Sequence, residues 1–164
     1  MLSIRFYRFA LLIDGIHKCI SRLKFDLAPH LGVKSVHIFW LYELRAHPEG
    51  LTAAELASRS MISRSLVSRE IEKLQQDGYI HVQEIARGKR KNYNSRIILT
   101  DKGKALAYHI TAEGMKLQNA ADIGITHEEL TAFYGTLEKI YKNLCAITAE
   151  RDHAVEESAA ENTI

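Results

Sequence analysis

The chain's 164 residues suit one domain with a single core, or a small module built into a helical scaffold, and exclude a second large domain. With 46% hydrophobic and 26% charged residues and only two prolines, the composition is that of a folded, helix-rich protein and not of a disordered one. The net charge of +2 conceals a division: residues 59–104 carry 11 Lys/Arg against 5 Asp/Glu, while residues 105–164 carry 4 against 10, so the middle of the chain has the electrostatic footprint of a nucleic-acid-binding module.

At the N-terminus, Phe9 to Ile13 is apolar, but Arg5, Arg8 and Asp14 interrupt the run and no small-residue cleavage site follows, which argues against a secretory signal. No stretch reaches the length of a membrane span. Ile13, Ile16, Ile20, Leu23 and Leu27 recur at spacings of three and four, predicting a long amphipathic helix that ends near Pro29 and Gly32. Ile4, Phe6, Phe9, Leu11 and Leu12 exceed what one buried stripe needs, and a second copy of the chain would hide them, which predicts a homodimer. A second helix runs from about Lys34 to Ala46, with Ile38, Leu41 and Leu44 inward, and stops ahead of Pro48.

Thr52 and Glu55 have capping-box spacing, so a short third helix, Ala53 to Arg59, follows. After a turn at Met61 and Ile62, Ser63 is the expected N-cap of a fourth helix whose buried stripe is Val67, Ile71 and Leu74 and whose end is Gly78. The period then changes to two: Ile80, Val82 and Ile85 predict a strand, a polar stretch rich in Arg, Lys and Asn follows, and Ile97 to Leu99 reads as its returning partner. Thr100 caps a fifth helix from Asp101, and Thr126 with Glu129 caps a sixth through Leu130, Phe133, Leu137, Ile140 and Leu144. The acidic tail after Arg151 is expected to fray.

Two short helices joined by a tight turn and followed by a hairpin make a winged helix-turn-helix, so the fold class is mainly α with a small β-hairpin wing and a helical dimerisation region. In domain terms, residues 1–32 form an N-terminal dimerisation helix, 33–100 the DNA-binding module, 101–150 C-terminal dimerisation helices, and 151–164 a flexible acidic tail. With the apolar stripe of the fourth helix inward, Arg64, Ser65, Ser68, Arg69 and Glu72 lie toward its outer face, where a recognition helix meets base edges, and Ser63, Arg64, Ser65, Ser68 and Arg69 are the candidate DNA contacts. Arginine can donate two bonds to guanine, and short serines let the backbone approach phosphate. Arg87, Lys89, Arg90 and Lys91 give the wing a dense positive tip, which either sends one side chain into the minor groove or touches phosphates only.

The segments Leu51-Thr52-Ala53-Ala54-Glu55-Leu56-Ala57, Ser63-Arg64-Ser65-Leu66-Val67-Ser68-Arg69, Leu74 through Gly78-Tyr79-Ile80, and Leu99-Thr100-Asp101-Lys102-Gly103 resemble successive signatures of the MarR family of transcriptional regulators. The resemblance covers about Ala28 to Gly103 by motif. It implies a triangular homodimer interlocked through the first, fifth and sixth helices, a near-palindromic double-stranded DNA operator, and repression released by a small molecule or oxidant. The family wing carries an Asp-x-Arg, whereas Gly88-Lys89-Arg90 occupies the nearest position here and makes Arg90 the candidate for insertion; Asn94-Ser95-Arg96 is a competing match.

Family ligand pockets lie where the first, second and fifth helices meet the DNA-binding lobe, which directs attention to His17, His37, Trp40 and Tyr108 as a lining for a small aromatic or phenolic effector. Core packing is the competing role for Trp40. Cys19 and Cys145 lack metal spacing and read as small buried apolar residues in a reducing, cytoplasmic setting, because Arg8 and not cysteine precedes Phe9-Ala10-Leu11 where the peroxide-sensing branch has its thiol. The histidines make no zinc pair. With no phosphate-cradling loop, nucleophile elbow or paired-carboxylate motif, neither an enzyme nor a cofactor is indicated. A winged helix that has lost DNA binding and serves as an antirepressor-like protein-interaction module is the rival reading, disfavoured by the basic wing and by Arg64 and Arg69.

Overall fold

A computed structural model describes residues 2–83 and 95–161, with side chains over 4–83 and 95–149. The elements are helices α1 (Leu2–His30), α2 (Ser35–Ala46), α3 (Ala53–Ser60) and α4 (Arg64–Gln76), strands β1 (Ile80–Gln83) and β2 (Arg96–Leu99), and helices α5 (Asp101–Ala121) and α6 (His127–Glu161). The chain divides into two compact units, residues 1–117 and 118–164.

In the first unit the core gathers Trp40, Leu41 and Leu44 from α2, Leu56 from α3, Val67 and Leu74 from α4, Ile80, Ile97 and Leu99 from the hairpin, and Ala107 and Ile110 from α5. β1 and β2 pair antiparallel with Ile80 opposite Leu99 and Val82 opposite Ile97, and Leu51 bridges Ile97 as a short third member. The caps predicted at Thr52 and Thr100 hold. Glu55 N–H donates to Thr52 Oγ1 at 3.1 Å, while Thr52 N–H at 2.7 Å and the Thr52 hydroxyl at 2.9 Å donate to Glu55 Oε2 and hold that carboxyl below its ordinary range. Thr100 Oγ1 accepts from Gly103 N–H at 3.1 Å and donates to Gly78 O at 2.7 Å, tying the start of α5 to the end of α4. Gly78 takes the left-handed conformation expected of it, with φ +75°.

Four expectations need correction. The stripe Ile13, Ile16, Ile20 and Leu23 on α1 is exposed within the chain, because α1 meets the core only near its end, through Leu27, Ala28 and Leu31. Ser63 precedes α4 but makes no side-chain cap; its Oγ lies 3.2 Å from Ser65 Oγ instead. Cys19 and Cys145 are exposed and not buried, for the same reason that the apolar side chains of α1 and α6 are. Lastly, α6 continues past Arg151 to Glu161, in keeping with the high helix propensity of the alanines and glutamates there. In the second unit, Thr126 N–H donates to Glu129 Oε2 at 2.8 Å and Glu129 N–H returns to Thr126 Oγ1 at 3.2 Å, starting α6 as predicted.

Candidate nucleic-acid interface

The α3–α4 pair is set by local chemistry. α3 ends at Met61, which adopts the left-handed region at φ 54°, and the next residue, Ile62, packs against the core. α4 then lays Val67, Ile71 and Leu74 inward, which fixes the complementary face outward. Ser63, just before α4, and Arg64, Ser65, Ser68 and Arg69 on it are all exposed.

Their polar atoms are unequally committed. Ser68 Oγ donates back to Arg64 O at 3.0 Å, so its hydroxyl proton is used within the helix and only its lone pairs face out. Because Ser63 provides no cap, the backbone N–H groups at the positive end of α4 are not spent on that side chain and can meet a phosphate oxygen. Arg69 contacts Glu70 Oε1 through Nε at 3.7 Å, and its side chain is 73% exposed. That contact leaves its two terminal amino groups, the pair a guanine edge would take, unused. Arg87, Lys89, Arg90 and Lys91 lie outside the described residues. Arg96, the competing wing match, is the first residue of β2, opposite Gln83: its NH1 donates to Gly50 O at 3.0 Å and to Glu55 Oε2 at 3.2 Å.

Residues 31–91, which span α2 to α4 and the first strand, match the family model described as MarR family. No curated protein matches the sequence at a significant level. Among solved structures, a MarR-family transcriptional regulator from Silicibacter pomeroyi is 25% identical, with a TM-score of 0.71 over 80% of this chain and 86% of that one. A MarR-family regulator from Listeria monocytogenes complexed with 26mer DNA is 21% identical, with a TM-score of 0.72 over 80% and 85%. S. aureus MepR in complex with DNA is 20% identical, with a TM-score of 0.70 over 83% and 97%. These likenesses establish the winged-helix fold of the chain.

The four residues considered for an effector are distributed unevenly. His37 and Trp40 are buried on α2 with ring centroids 6.0 Å apart, whereas His17 is exposed on α1 beside Ser21, and Tyr108 is exposed on α5 beneath the Arg45 guanidinium, 5.4 Å from its centroid. Trp40 Nε1 has no hydrogen-bond partner among the described residues. A depression of about 140 Å³ is lined by Pro29, Gly32, Val33, Lys34, His37, Lys73 and Asp77, and so by only one of the four.

One residue escaped the sequence reading. Glu70 of α4 is buried, and its carboxylate takes both Oε bonds from Lys34 Nζ at 2.8 Å and faces His37 Nε2 at 3.0 Å. The Lys34 bond outweighs burial and holds the Glu70 carboxyl below its usual range, while burial pushes His37 down in spite of the neighbouring carboxylate. A signal existed: Glu70 lies three residues after Val67 and four before Leu74, inside the stripe that must face the core, and a carboxylate there requires a partner.

Proposed function

We propose that this chain is a sequence-specific DNA-binding transcriptional regulator of the MarR family that acts as a homodimer in the cytoplasm, with α4 in the major groove and the positive residues Arg87, Lys89, Arg90 and Lys91 against the adjacent backbone or minor groove. The outer face of α4 carries the proposal: Arg64, Ser65 and Arg69 stand exposed beside an uncapped helix start, away from the face that buries Val67, Ile71 and Leu74. That arrangement offers both phosphate anchoring and base readout. The DNA complexes of the Listeria monocytogenes and S. aureus structures support the same use of the fold. Repression relieved by a small aromatic or phenolic molecule is the form of regulation we favour, and the exposed Tyr108–Arg45 pair is the planar and cationic surface that suits such a molecule.

The two kinds of contact fail differently. Selection of bound genomic fragments by the purified protein yields the operator, an inverted repeat with half-sites about 10 base pairs apart. On it, Arg69→Ala loses about 1 to 3 kcal/mol, relaxes preference at one base pair per half-site, and loses less on scrambled DNA. Lys89→Ala weakens both duplexes alike and flattens the salt dependence. Equal losses on the two duplexes for Arg69→Ala refute base readout by that residue. Unchanged binding in both variants, or no selected DNA at all, favours the protein-interaction module.

A further inference from the structure

We propose that Glu70 is a positioning residue for the DNA-reading face: clamped by Lys34 and His37 at the start of α2, its carboxylate sets the rotation of α4 about its own axis and so the direction of Arg69. The inference rests on the DNA-binding reading above and adds the residue that aims it.

Apolar packing alone fixes a helix's rotation loosely, because burial of Val67, Ile71 and Leu74 is non-directional, whereas hydrogen bonds have strict angular demands. A helix measures about 10 to 12 Å across with its side chains, so a roll of about 10° displaces an outer side chain by about 1 Å. That displacement spoils a bidentate contact to a base edge and is tolerated by a diffuse phosphate contact. Burying the Glu70 carboxylate costs several kcal/mol before pairing, and an apolar residue would fill the same inward position without that cost, so stability does not account for it. Geometry does: Lys34 Nζ holds both oxygens at 2.8 Å, His37 holds one at 3.0 Å, and the same Oε1 lies 3.7 Å from Arg69 Nε.

The protonation state of His37 is part of the clamp. Its Nδ1 accepts from the Lys34 backbone N–H at 3.4 Å, which leaves the single ring proton on Nε2, donated to Glu70. A second proton on Nδ1 would set two donors face to face and loosen the start of α2. The charged groups around the ring are Lys34 on its own element, Glu70 and Lys73 on α4, Asp77 at its end, and Arg69 beyond Glu70. Burial dominates, so the ring stays neutral at pH 7 and is protonated only below the ordinary histidine range near 6.5.

The test measures binding of the full chain to the selected operator and to a scrambled duplex, from pH 5 to 8, for the parent, Glu70→Gln, Lys34→Met and His37→Gln, with cooperative melting as the check on folding. Glu70→Gln is expected to lose at least about tenfold on the operator and less than about threefold on the scrambled duplex, at an unchanged salt slope. Lys34→Met, which alters the exposed partner, is expected to follow in the same direction and stands in if Glu70→Gln does not fold. The parent is expected to lose operator preference as the pH falls below 6.5, and His37→Gln to lack that step. Folded Glu70→Gln and Lys34→Met variants with unchanged preference, or with equal losses on both duplexes, overturn the inference. A parent that binds no duplex overturns the DNA-binding reading itself.

Discussion

Gly103 stands where α5 meets the turn after α4, and a Cβ added there would overlap the Tyr79 carbonyl oxygen and press on Leu99. Neither neighbour yields easily: Tyr79 O already accepts from Thr100 N–H at 3.0 Å, and Leu99 is a buried strand residue. Backbone proximity, rather than a positive φ, is therefore what requires glycine at this position. Gly103→Ala is expected to destabilise the fold by about 1 to 3 kcal/mol, as overpacking does, read as a lower urea midpoint at unchanged slope. A midpoint equal to the parent's would mean that α5 can shift without cost. Glu70 teaches the complementary lesson, since its carboxylate is buried for where it points and not for what its burial contributes to stability.

Among the helices, α3 and α4 begin with residues of similar capping chemistry and use them differently. Thr52 closes a reciprocal box with Glu55, whereas Ser63 leaves its backbone neighbours uncapped. Thr52→Ala is accordingly expected to cost about 1 kcal/mol of stability, and Ser63→Ala less than about 0.5 kcal/mol, in parallel chemical denaturation. Equal losses would show that Ser63 caps α4 in solution and so leaves the helix start less open to a phosphate. Arg96, at the start of β2, ties the strand to Gly50 and to Glu55 in the first turn of α3.

At the scale of the whole molecule, two helices display apolar side chains that the single chain does not cover. On α1 these include Ile4, Phe6, Leu12, Ile16 and Ile20, and on α6 Phe133, Tyr134, Tyr141 and Ile147. Apolar exposure on each of these helices marks an interaction surface, and a second copy is the occupant that a small oligomer supplies most readily. Light scattering is expected to give twice the 18.6 kDa chain mass at micromolar concentration. A monodisperse monomer there would remove the geometry that spaces two recognition helices on one operator.

The sequence by itself determined the features whose causes lie within a few residues. The boxes at Thr52 and Thr126, the cap at Thr100, the left-handed Gly78, the α4 stripe and the change of period at Ile80 all follow from side chains meeting their own or adjacent turns, and together they sufficed for a winged helix with an exposed arginine-bearing face. Tertiary structure alone decided the contacts between residues distant in the chain. Lys34 and Glu70 are 36 positions apart, Arg96 and Glu55 are 41 apart, and no local rule announces that these side chains will meet. Only the tertiary structure showed that His37 is a buried partner of Glu70, that Tyr108 is an exposed partner of Arg45, and that the α1 stripe is left uncovered by its own chain. Periodicity reports which residues share a face, whereas burial depends on what that face is packed against, and that is a property of the assembled fold.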